Sequence, residues 1–363
     1  MSQSLPSKMQ AWKVHVGKPE PILEEVDVPK PGDGEMLVKI LAAGVCHSDC
    51  TLLGMKEAPP GMNMRPQYTL GHEGAGEVVQ LGQNVKDFKV GDKVAMLIIP
   101  GCEESSCPVC STGLQRLCHG NKSGNYGLGI SDGFFAEYVN VMARAAVKVP
   151  DSVNMPIAAV APDAVLTAYH AIRYTADVQP HQTIAIYGLG GLGLNAVQIA
   201  QHLGVKRILV VDKRQETVDL AVGLGVAKED AFCTGNSGSP SIEQYAAEKG
   251  VNIDTTIDFV GHGDTFQSAQ FAVRAGGTMV QVGLISPTVT MIPLVTVLKG
   301  VTIKCHYNGS MEALRECMDL LAKGVIKPSV ETGSMKTLPK VVKDLDEGKI
   351  KSRMVLVPDW TKA

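Results

Sequence analysis

Six residues, Gly188-Leu189-Gly190-Gly191-Leu192-Gly193, constrain the fold of this chain more than any other stretch. They fit G-x-G-x-x-G at Gly188, Gly190 and Gly193, between two segments of opposite character. Before them, Thr183-Ile184-Ala185-Ile186-Tyr187 reads as a short buried strand. After them, apolar residues at Leu194, Val197, Ile199, Ala200 and Leu203 mark a helix from Gly193 to Leu203. A glycine-rich turn in that context has a specific logic. Gly188 permits the tight turn, Gly190 lets the backbone approach a pyrophosphate, and Gly193 lets the helix pack close on the strand. Gly191 and Leu192 complete the loop, and the helix N-terminus offers free N–H groups and a positive dipole end to phosphate. Asp212, at the end of the next strand, places a carboxylate where it can accept both adenosine ribose hydroxyls and repel a 2′-phosphate, which favours NAD over NADP. Lys213 and Arg214 follow and soften that repulsion. The competing readings are a glycine-rich loop in a non-nucleotide α/β domain, and Asp212 as a plain helix cap.

The stretch around this loop keeps a strand–helix rhythm. Residues 207–211, 255–260, 278–283 and 301–307 read as strands, and 215–224, 241–249 and 265–273 as helices. Alternating units with buried apolar strands imply a doubly wound parallel sheet covered on both faces. The first 150 residues differ. Short alternating segments such as 36–40 and 76–79 are separated by Gly and Pro, which suggests a compact, barrel-like β domain. An Ala-rich helix over 158–171 leads out of it, and a helix (311–323) and final strand (353–357) could return to it.

Composition bounds the rest. A length of 363 residues suggests two domains, or three at most. Hydrophobic residues at 45% and charged residues at 20% exclude a mainly disordered chain. With 34 Lys+Arg against 37 Asp+Glu and no run of like charge, neither a nucleic-acid nor a membrane partner is expected. No apolar run suggests a spanning helix, and residues 1–10 lack the apolar region of a secretory signal. Nine cysteines, an odd number, argue against a disulfide framework. They point to metal or redox chemistry in a reducing, cytoplasmic compartment.

Two groups of residues suit zinc. Cys46 in Cys46-His47-Ser48-Asp49, His72 in Gly71-His72-Glu73-Gly74 and Asp163 offer a thiolate, an imidazole and a carboxylate. Three protein ligands leave a fourth position open, as in catalytic sites. Spacing alone does not join these positions, and a buried thiol with a satisfied core imidazole stays open as the alternative. Cys102, Cys107, Cys110 and Cys118 form C-x4-C-x2-C-x7-C, which reads as a closed structural site of four thiolates. Free thiols, or three cysteines assisted by Glu104, are the alternatives. Cys50, Cys233, Cys305 and Cys317 are isolated and read as apolar fillers.

In order and spacing these motifs resemble the zinc-dependent medium-chain alcohol dehydrogenases over nearly the whole chain. Residues 162–171 are most similar to the secondary-alcohol dehydrogenase and carbonyl-reductase members. The resemblance implies a GroES-like β-rich catalytic domain over 1–163, completed by 308–363, and a Rossmann NAD-binding domain over 164–307. It implies two zinc ions per chain, with Cys46, His72 and Asp163 as catalytic ligands where many relatives have a cysteine in place of Asp163. Glu73 would be a nearby carboxylate able to enter the metal's shell, and Asp49 would fix the tautomer of His72. Ser48 would take the alcohol proton. His47 and Arg353 match positions that meet the cofactor pyrophosphate, and Lys213 stands beside Asp212 at the ribose. By position, Leu53, Met55, Tyr126 and Leu284 would line an apolar substrate pocket. Two departures stand out. Glu104 falls where the family's first structural cysteine would be, and Thr51 stands where many relatives have a relay histidine. The implied activity is reversible hydride transfer between a secondary alcohol or ketone and NAD(H). A primary-alcohol or aldehyde enzyme, and a non-catalytic dinucleotide-binding protein, are the rivals. Strand 301–307, at an apparent sheet edge, would pair with a second subunit in a homodimer or homotetramer.

Overall fold

A computed structural model of the chain describes residues 5–58, 63–120, 122–235 and 241–360. The strands among them are β1 (Lys8–His15), β2 (Ile22–Asp27), β3 (Glu35–Gly44), β4 (Gln67–Thr69), β5 (Glu73–Leu81), β6 (Lys93–Met96), β7 (Tyr138–Met142) and β8 (Ala146–Lys148). They continue with β9 (Thr183–Tyr187), β10 (Arg207–Asp212), β11 (Ala231–Cys233), β12 (Ile253–Asp258), β13 (Val273–Gln281), β14 (Thr302–Cys305), β15 (Val330–Ser334) and β16 (Arg353–Val357). The chain divides into two compact units. One comprises Met1–Asp163, Ser310–Ala322 and Ser329–Ala363, the other Ala164–Gly309 and Lys323–Pro328.

The first unit is β-rich, with a three-stranded sheet β2-β1-β4 and a seven-stranded sheet β15-β16-β3-β5-β6-β8 in which β7 pairs with β3. Strand β3 carries Met36, Leu37, Val38 and Ile40, all fully buried, and pairs antiparallel with β5, β7 and β16. Its two neighbours at the C-terminal end, β5 and β16, deliver the residues of the site described below. A half-buried charge pair ties β1 to a neighbouring loop. Lys13 Nζ donates to Asp132 Oδ1 at 2.8 Å, and the N–H of Thr69 donates to the same oxygen at 2.6 Å.

The second unit holds a six-stranded parallel sheet in the order β11-β10-β9-β12-β13-β14. The order reverses direction between β9 and β12, the switch point at which such sheets bind dinucleotides. Helices Gly193–His202, Gln215–Gly223, Ile242–Lys249 and Gly263–Ala272 follow β9, β10, β11 and β12. Tyr187, Leu209, Val211, Phe232, Phe266 and Met279 share one core cluster.

Three strand boundaries differ from the sequence reading, each for a local reason. Strand β12 stops at Asp258 rather than continuing to 260, because the Asp258 carboxylate accepts from the N–H groups of Val260 (2.8 Å) and Gly261 (3.0 Å) and turns the chain. Strand β13 begins at Val273, well before 278; Gly276 and Gly277 interrupt the apolar pattern that marks its second half. Strand β14 covers only Thr302–Cys305 of the expected 301–307, at the sheet edge.

The Ala-rich segment forms a helix over Met155–Thr175, long and apolar enough by composition to cross a membrane. Of its apolar window 83% is buried inside the protein, which accounts for its composition as that of a core helix. It widens into π turns at Ala161–Val165 and Ala171–Thr175. The first contains Asp163, and wide turns of this kind are frequent at functional sites.

Candidate active site

At the end of β3 the N–H of Val45 donates to the Met354 carbonyl of β16 at 2.9 Å, which fixes where Cys46 begins the helix His47–Gly54. The N–H of Cys46 donates to Asp49 Oδ2 at 2.9 Å, so Asp49 caps the helix from within its first turn. His72 stands just before β5 and Glu73 opens it, Asp163 comes from the π turn, and Arg353 opens β16. The potential ligand atoms of Cys46, His72, Glu73 and Asp163 all lie within 4.8 Å of one another, and all four residues are buried.

The imidazole of His72 has its two nitrogens in different surroundings. Nδ1 lies 3.2 Å from Asp49 Oδ1, while Nε2 lies 3.8 Å from Asp163 Oδ2 and faces the cluster. An outer carboxylate on one nitrogen, with the other directed inward, is the arrangement that sets the tautomer of a metal-bound histidine. Arg353 is buried here. Its Nε donates to Glu73 Oε2 at 3.1 Å, and its Nη2 donates both to Glu73 Oε1 and, at 2.6 Å, to Asp163 Oδ2. The sequence reading put Arg353 at the cofactor pyrophosphate. The structure places its guanidinium across the two carboxylates of the cluster, a partnership that nothing in the sequence signalled.

Charge explains the cluster's tolerance of burial. Burial disfavours the charged form of His72, yet the Asp49 charge and hydrogen bonds to Asp163, Asp49 and Cys46 push it well above its ordinary value. Burial would also raise Asp163, but hydrogen bonding to His72 and the charge of Arg353 hold it well below the usual carboxylate range. Glu73 is raised by its burial, against the pull of Arg353. A Cys46 thiolate and the Asp163 carboxylate together with a neutral His72 would balance the charge of one divalent cation. A thiolate, an imidazole and carboxylates at this separation suit zinc.

The remaining candidates sit as follows. Ser48 is half-buried, with Oγ 3.7 Å from Cys46 Sγ. His47 is exposed at the start of its helix, and Thr51 Oγ1 donates to the His47 carbonyl at 3.2 Å. Leu53 is buried and Met55 half-buried. Tyr126 is buried against Phe134, and its hydroxyl accepts from the Met142 N–H at 2.9 Å, so its polar end is committed to the core. Leu284 belongs to the other unit and is 69% exposed.

Cys102, Cys107, Cys110 and Cys118 converge as well, their sulfurs within 4.8 Å of one another. Sγ of Cys102 lies 3.6 Å from that of Cys110, and Cys107 4.0 Å from Cys118. The structure brings Cys102 into the group and leaves Glu104 exposed outside it. Residues 103–106 form an exposed excursion, entered through Glu103 at φ +57°. Gly101 makes the return possible: a Cβ there would stand 2.8 Å from Gln115 Cβ and 3.1 Å from Cys110 Sγ. N–H groups of Cys110 and Val109 draw the Cys107 thiol down to about 7, towards the thiolate that metal binding needs.

In the second unit, Gly188 adopts φ +86° after β9, and its N–H donates to the Val211 carbonyl at 2.8 Å. A Cβ on Gly193 would stand 1.8 Å from the Gly188 carbonyl oxygen, so the helix start closes directly on the turn. At Gly190 a Cβ would meet nothing within 4 Å, leaving open the space a pyrophosphate needs. Gly191 accepts from Asn195 Nδ2 at 2.8 Å, and Leu192 caps the helix Gly193–His202. Asp212 ends β10, and its Oδ2 accepts from the Leu189 N–H at 2.7 Å, tying carboxylate and loop together. Lys213 is exposed beside it.

Known proteins are similar to this chain in sequence and fold. Residues 32–151 match the family described as Alcohol dehydrogenase GroES-like domain, and residues 191–323 match Zinc-binding dehydrogenase. An alcohol dehydrogenase of Geobacillus stearothermophilus is 34% identical over 351 residues, covering 96% of this chain and 98% of the relative. Alcohol dehydrogenase 1 of Emericella nidulans is 33% identical over 339 residues, covering 92% and 93%. Among solved structures, acetophenone reductase from Geotrichum candidum in complex with NAD superposes with a TM-score of 0.86 at 34% identity, covering 98% of each chain. A cobalt- and zinc-bound alcohol dehydrogenase from Pyrobaculum aerophilum gives a TM-score of 0.81 at 25% identity, covering 97% of this chain and 100% of that one. With its GroES-like and Rossmann units and its donor set for zinc, this chain belongs to the zinc-dependent medium-chain alcohol dehydrogenase family.

Proposed function

We propose that this zinc- and NAD-dependent alcohol dehydrogenase acts on secondary alcohols and their ketones. The observation that carries the reading is the convergence of Cys46, His72 and Asp163, with Glu73, into one buried donor set. A carboxylate as the third ligand, in a stretch similar to secondary-alcohol enzymes, favours this substrate class over primary alcohols. The likeness to an acetophenone reductase supports it. Bound there, zinc supplies a Lewis acid for the substrate oxygen, and NAD supplies the hydride acceptor.

The chain's own groups have distinct tasks. Cys46 Sγ, His72 Nε2 and an Asp163 oxygen would hold the metal, and Asp49 holds the ring of His72 in place. Arg353 keeps Glu73 and Asp163 paired, so that neither stands as a lone buried charge. Ser48 Oγ receives the hydroxyl proton of the alcohol. An unactivated serine is a poor base, so it acts as a relay and hands the proton on to solvent. Thr51, with its hydroxyl tied to the His47 carbonyl, does not extend that relay. The four-cysteine lobe holds a second zinc that braces its own loop. The loop Gly188–Gly193 and Asp212 receive the adenosine diphosphate half of NAD.

The helix Pro293–Lys299, which precedes the edge strand β14 in the chain, exposes Leu294, Val297 and Leu298. An edge with no further strand among the described residues, together with three exposed apolar side chains, favours pairing with a second copy of the chain. The nine cysteines form no disulfide and five of them belong to the two metal-donor sets, which suits a reducing cytoplasm.

A matched pair of substrates tests the reading. 1-Phenylethanol and benzyl alcohol differ by one methyl group at the reacting carbon. We expect kcat/KM to favour the secondary alcohol by roughly tenfold or more, the scale of a buried methyl contact. A preference for benzyl alcohol overturns the substrate class. No turnover of either by protein with its zinc and NAD overturns the enzyme reading.

A further inference from the structure

The four-cysteine lobe is closed at its base by a side chain from outside it. Gly101 stands directly before Cys102, and Lys122 follows Cys118 after a short turn, so the chain enters and leaves the lobe at these two residues. The Gly101 N–H donates to the Ser123 carbonyl at 3.1 Å. Nη2 of Arg144 then spans both sides, donating to the Gly101 carbonyl at 2.9 Å and to the Lys122 carbonyl at 2.8 Å. Nε of the same guanidinium lies 3.4 Å from Glu103 Oε2, within the exposed excursion that lengthens the lobe. One side chain therefore holds the entry, the exit and the added residues.

Arg144 is itself fixed from behind. It belongs to a single helical turn, Ala143–Ala145, that follows β7. The Met142 N–H donates to the Tyr126 hydroxyl at 2.9 Å and the Ala143 N–H to the Gly34 carbonyl at 2.8 Å. The Leu97 N–H donates to the Ala145 carbonyl at 2.7 Å. The clasp is thus mounted on the β-rich framework, and it grips backbone oxygens and one carboxylate, leaving the sulfurs to the metal. Ligands carried on an open loop oblige the metal to order that loop as it binds. Where the ends are already joined, less of the binding free energy goes into ordering the chain. The sulfurs also stay gathered when one metal–sulfur bond breaks, so rebinding competes with escape. We propose that Arg144 is the positioning residue of the four-thiolate site: by clasping Gly101 and Lys122 it holds the lobe closed before the metal enters and sets how slowly that metal leaves. The inference rests on the reading that Cys102, Cys107, Cys110 and Cys118 hold zinc. It also gives the long interval between Cys102 and Cys107 a task, because the added residues bring Glu103 onto the guanidinium.

The experiment follows zinc transfer to a chromogenic chelator over time. In the Cys46→Ser background the zinc retained belongs to the four cysteines, and in the Cys107→Ser background it belongs to the other donor set. We expect Arg144→Met to speed release roughly ten- to a hundredfold in the first background, the range for removing a group that supports metal ligands from behind. In the second background the rate should stay within about threefold of its parent. Arg144→Lys keeps the charge on a side chain without the planar fork, and its rate in the first background should fall between those of the parent and Arg144→Met. Should Arg144→Met not fold, Arg144→Lys carries the test, with release at least about threefold faster expected from the four-thiolate site alone. A parental release rate in the folded variant overturns the role of Arg144. So does equal acceleration in both backgrounds, which would mark a general loosening of the fold. Folded Cys46→Ser protein that retains no zinc overturns the underlying metal reading instead.

Discussion

Nη2 of Arg353 donates to Oδ2 of Asp163 across 2.6 Å, joining the first residue of β16 to a π turn of the Ala-rich helix. The same guanidinium holds Glu73, so one cation serves two buried carboxylates. Arg353→Met removes it and leaves Glu73 without its cation. The expected loss is about 3–5 kcal/mol, the range for breaking one side of a buried ion pair. Urea unfolding of the two proteins measures it, and a loss below about 1 kcal/mol would show that the carboxylates are relieved some other way.

The two donor sets should separate by metal analysis. Wild type is expected to carry two zinc ions per chain, and chelation should abolish turnover. Cys46→Ser should abolish activity with the other zinc retained. Cys107→Ser should lose the other metal and several degrees of melting temperature, with turnover of the surviving folded enzyme less affected. Equal stability and two zinc ions in Cys107→Ser would remove the four cysteines from metal binding.

Two glycines of one loop should differ in stability while both lose NADH affinity. Gly193→Ala drives a methyl to 1.8 Å from the Gly188 carbonyl oxygen, so the helix start must move. About 1–3 kcal/mol of stability should go with it, and NADH affinity as well. Gly190→Ala meets no protein atom within 4 Å. Its stability should stay within about 0.5 kcal/mol of wild type while NADH affinity falls. Calorimetry with nucleotide titration reads both, and unchanged NADH binding in Gly190→Ala would place the pyrophosphate elsewhere.

Asp132 gives a pH test away from the metals. Burial would raise its carboxyl, but the hydrogen bond from Lys13 and that residue's charge lower it from 3.8 to about 2. A carboxyl depressed in the folded state adds stability above its unfolded value, and that stability is lost as pH falls from 3.8 through about 2. Its side chain is 40% exposed, so solvent screening limits the contribution to about 1 kcal/mol. Asp132→Asn should therefore unfold more easily than wild type at pH 7, with the gap closing in acid. A gap that is constant with pH would show that the charge contributes nothing.

Oligomeric state tests the β14 edge. Leu298, 77% exposed, lies on the helix beside it. Leu298→Glu should shift the protein towards monomer in light scattering if a second copy covers that face. An unchanged mass would place the subunit contact elsewhere.

Much of the fold was legible because strand and helix periods alternate cleanly. Thr183–Tyr187 and its following glycines fall where their pattern put them. Strand β13 was half hidden because Gly276 and Gly277 carry no side chains to show a buried face. The first donor set was another matter. Cys46, His72 and Asp163 sit on three elements far apart in the chain, so local pattern said nothing of their meeting and only the family likeness joined them. The duty of Arg353 was illegible for the same reason. Its partners Glu73 and Asp163 are 280 and 190 positions away, and the residue types alone do not name them.

The excursion at residues 103–106 bears on how such a lobe can change over time. What has to stay constant is the position of four sulfur atoms, and the number of residues between them is free to drift. Length can be added on the outer side of the clasp because solvent, not the core, receives it. A search by fixed intervals would pass this chain over, whereas one that asks which sulfurs meet in space would find it.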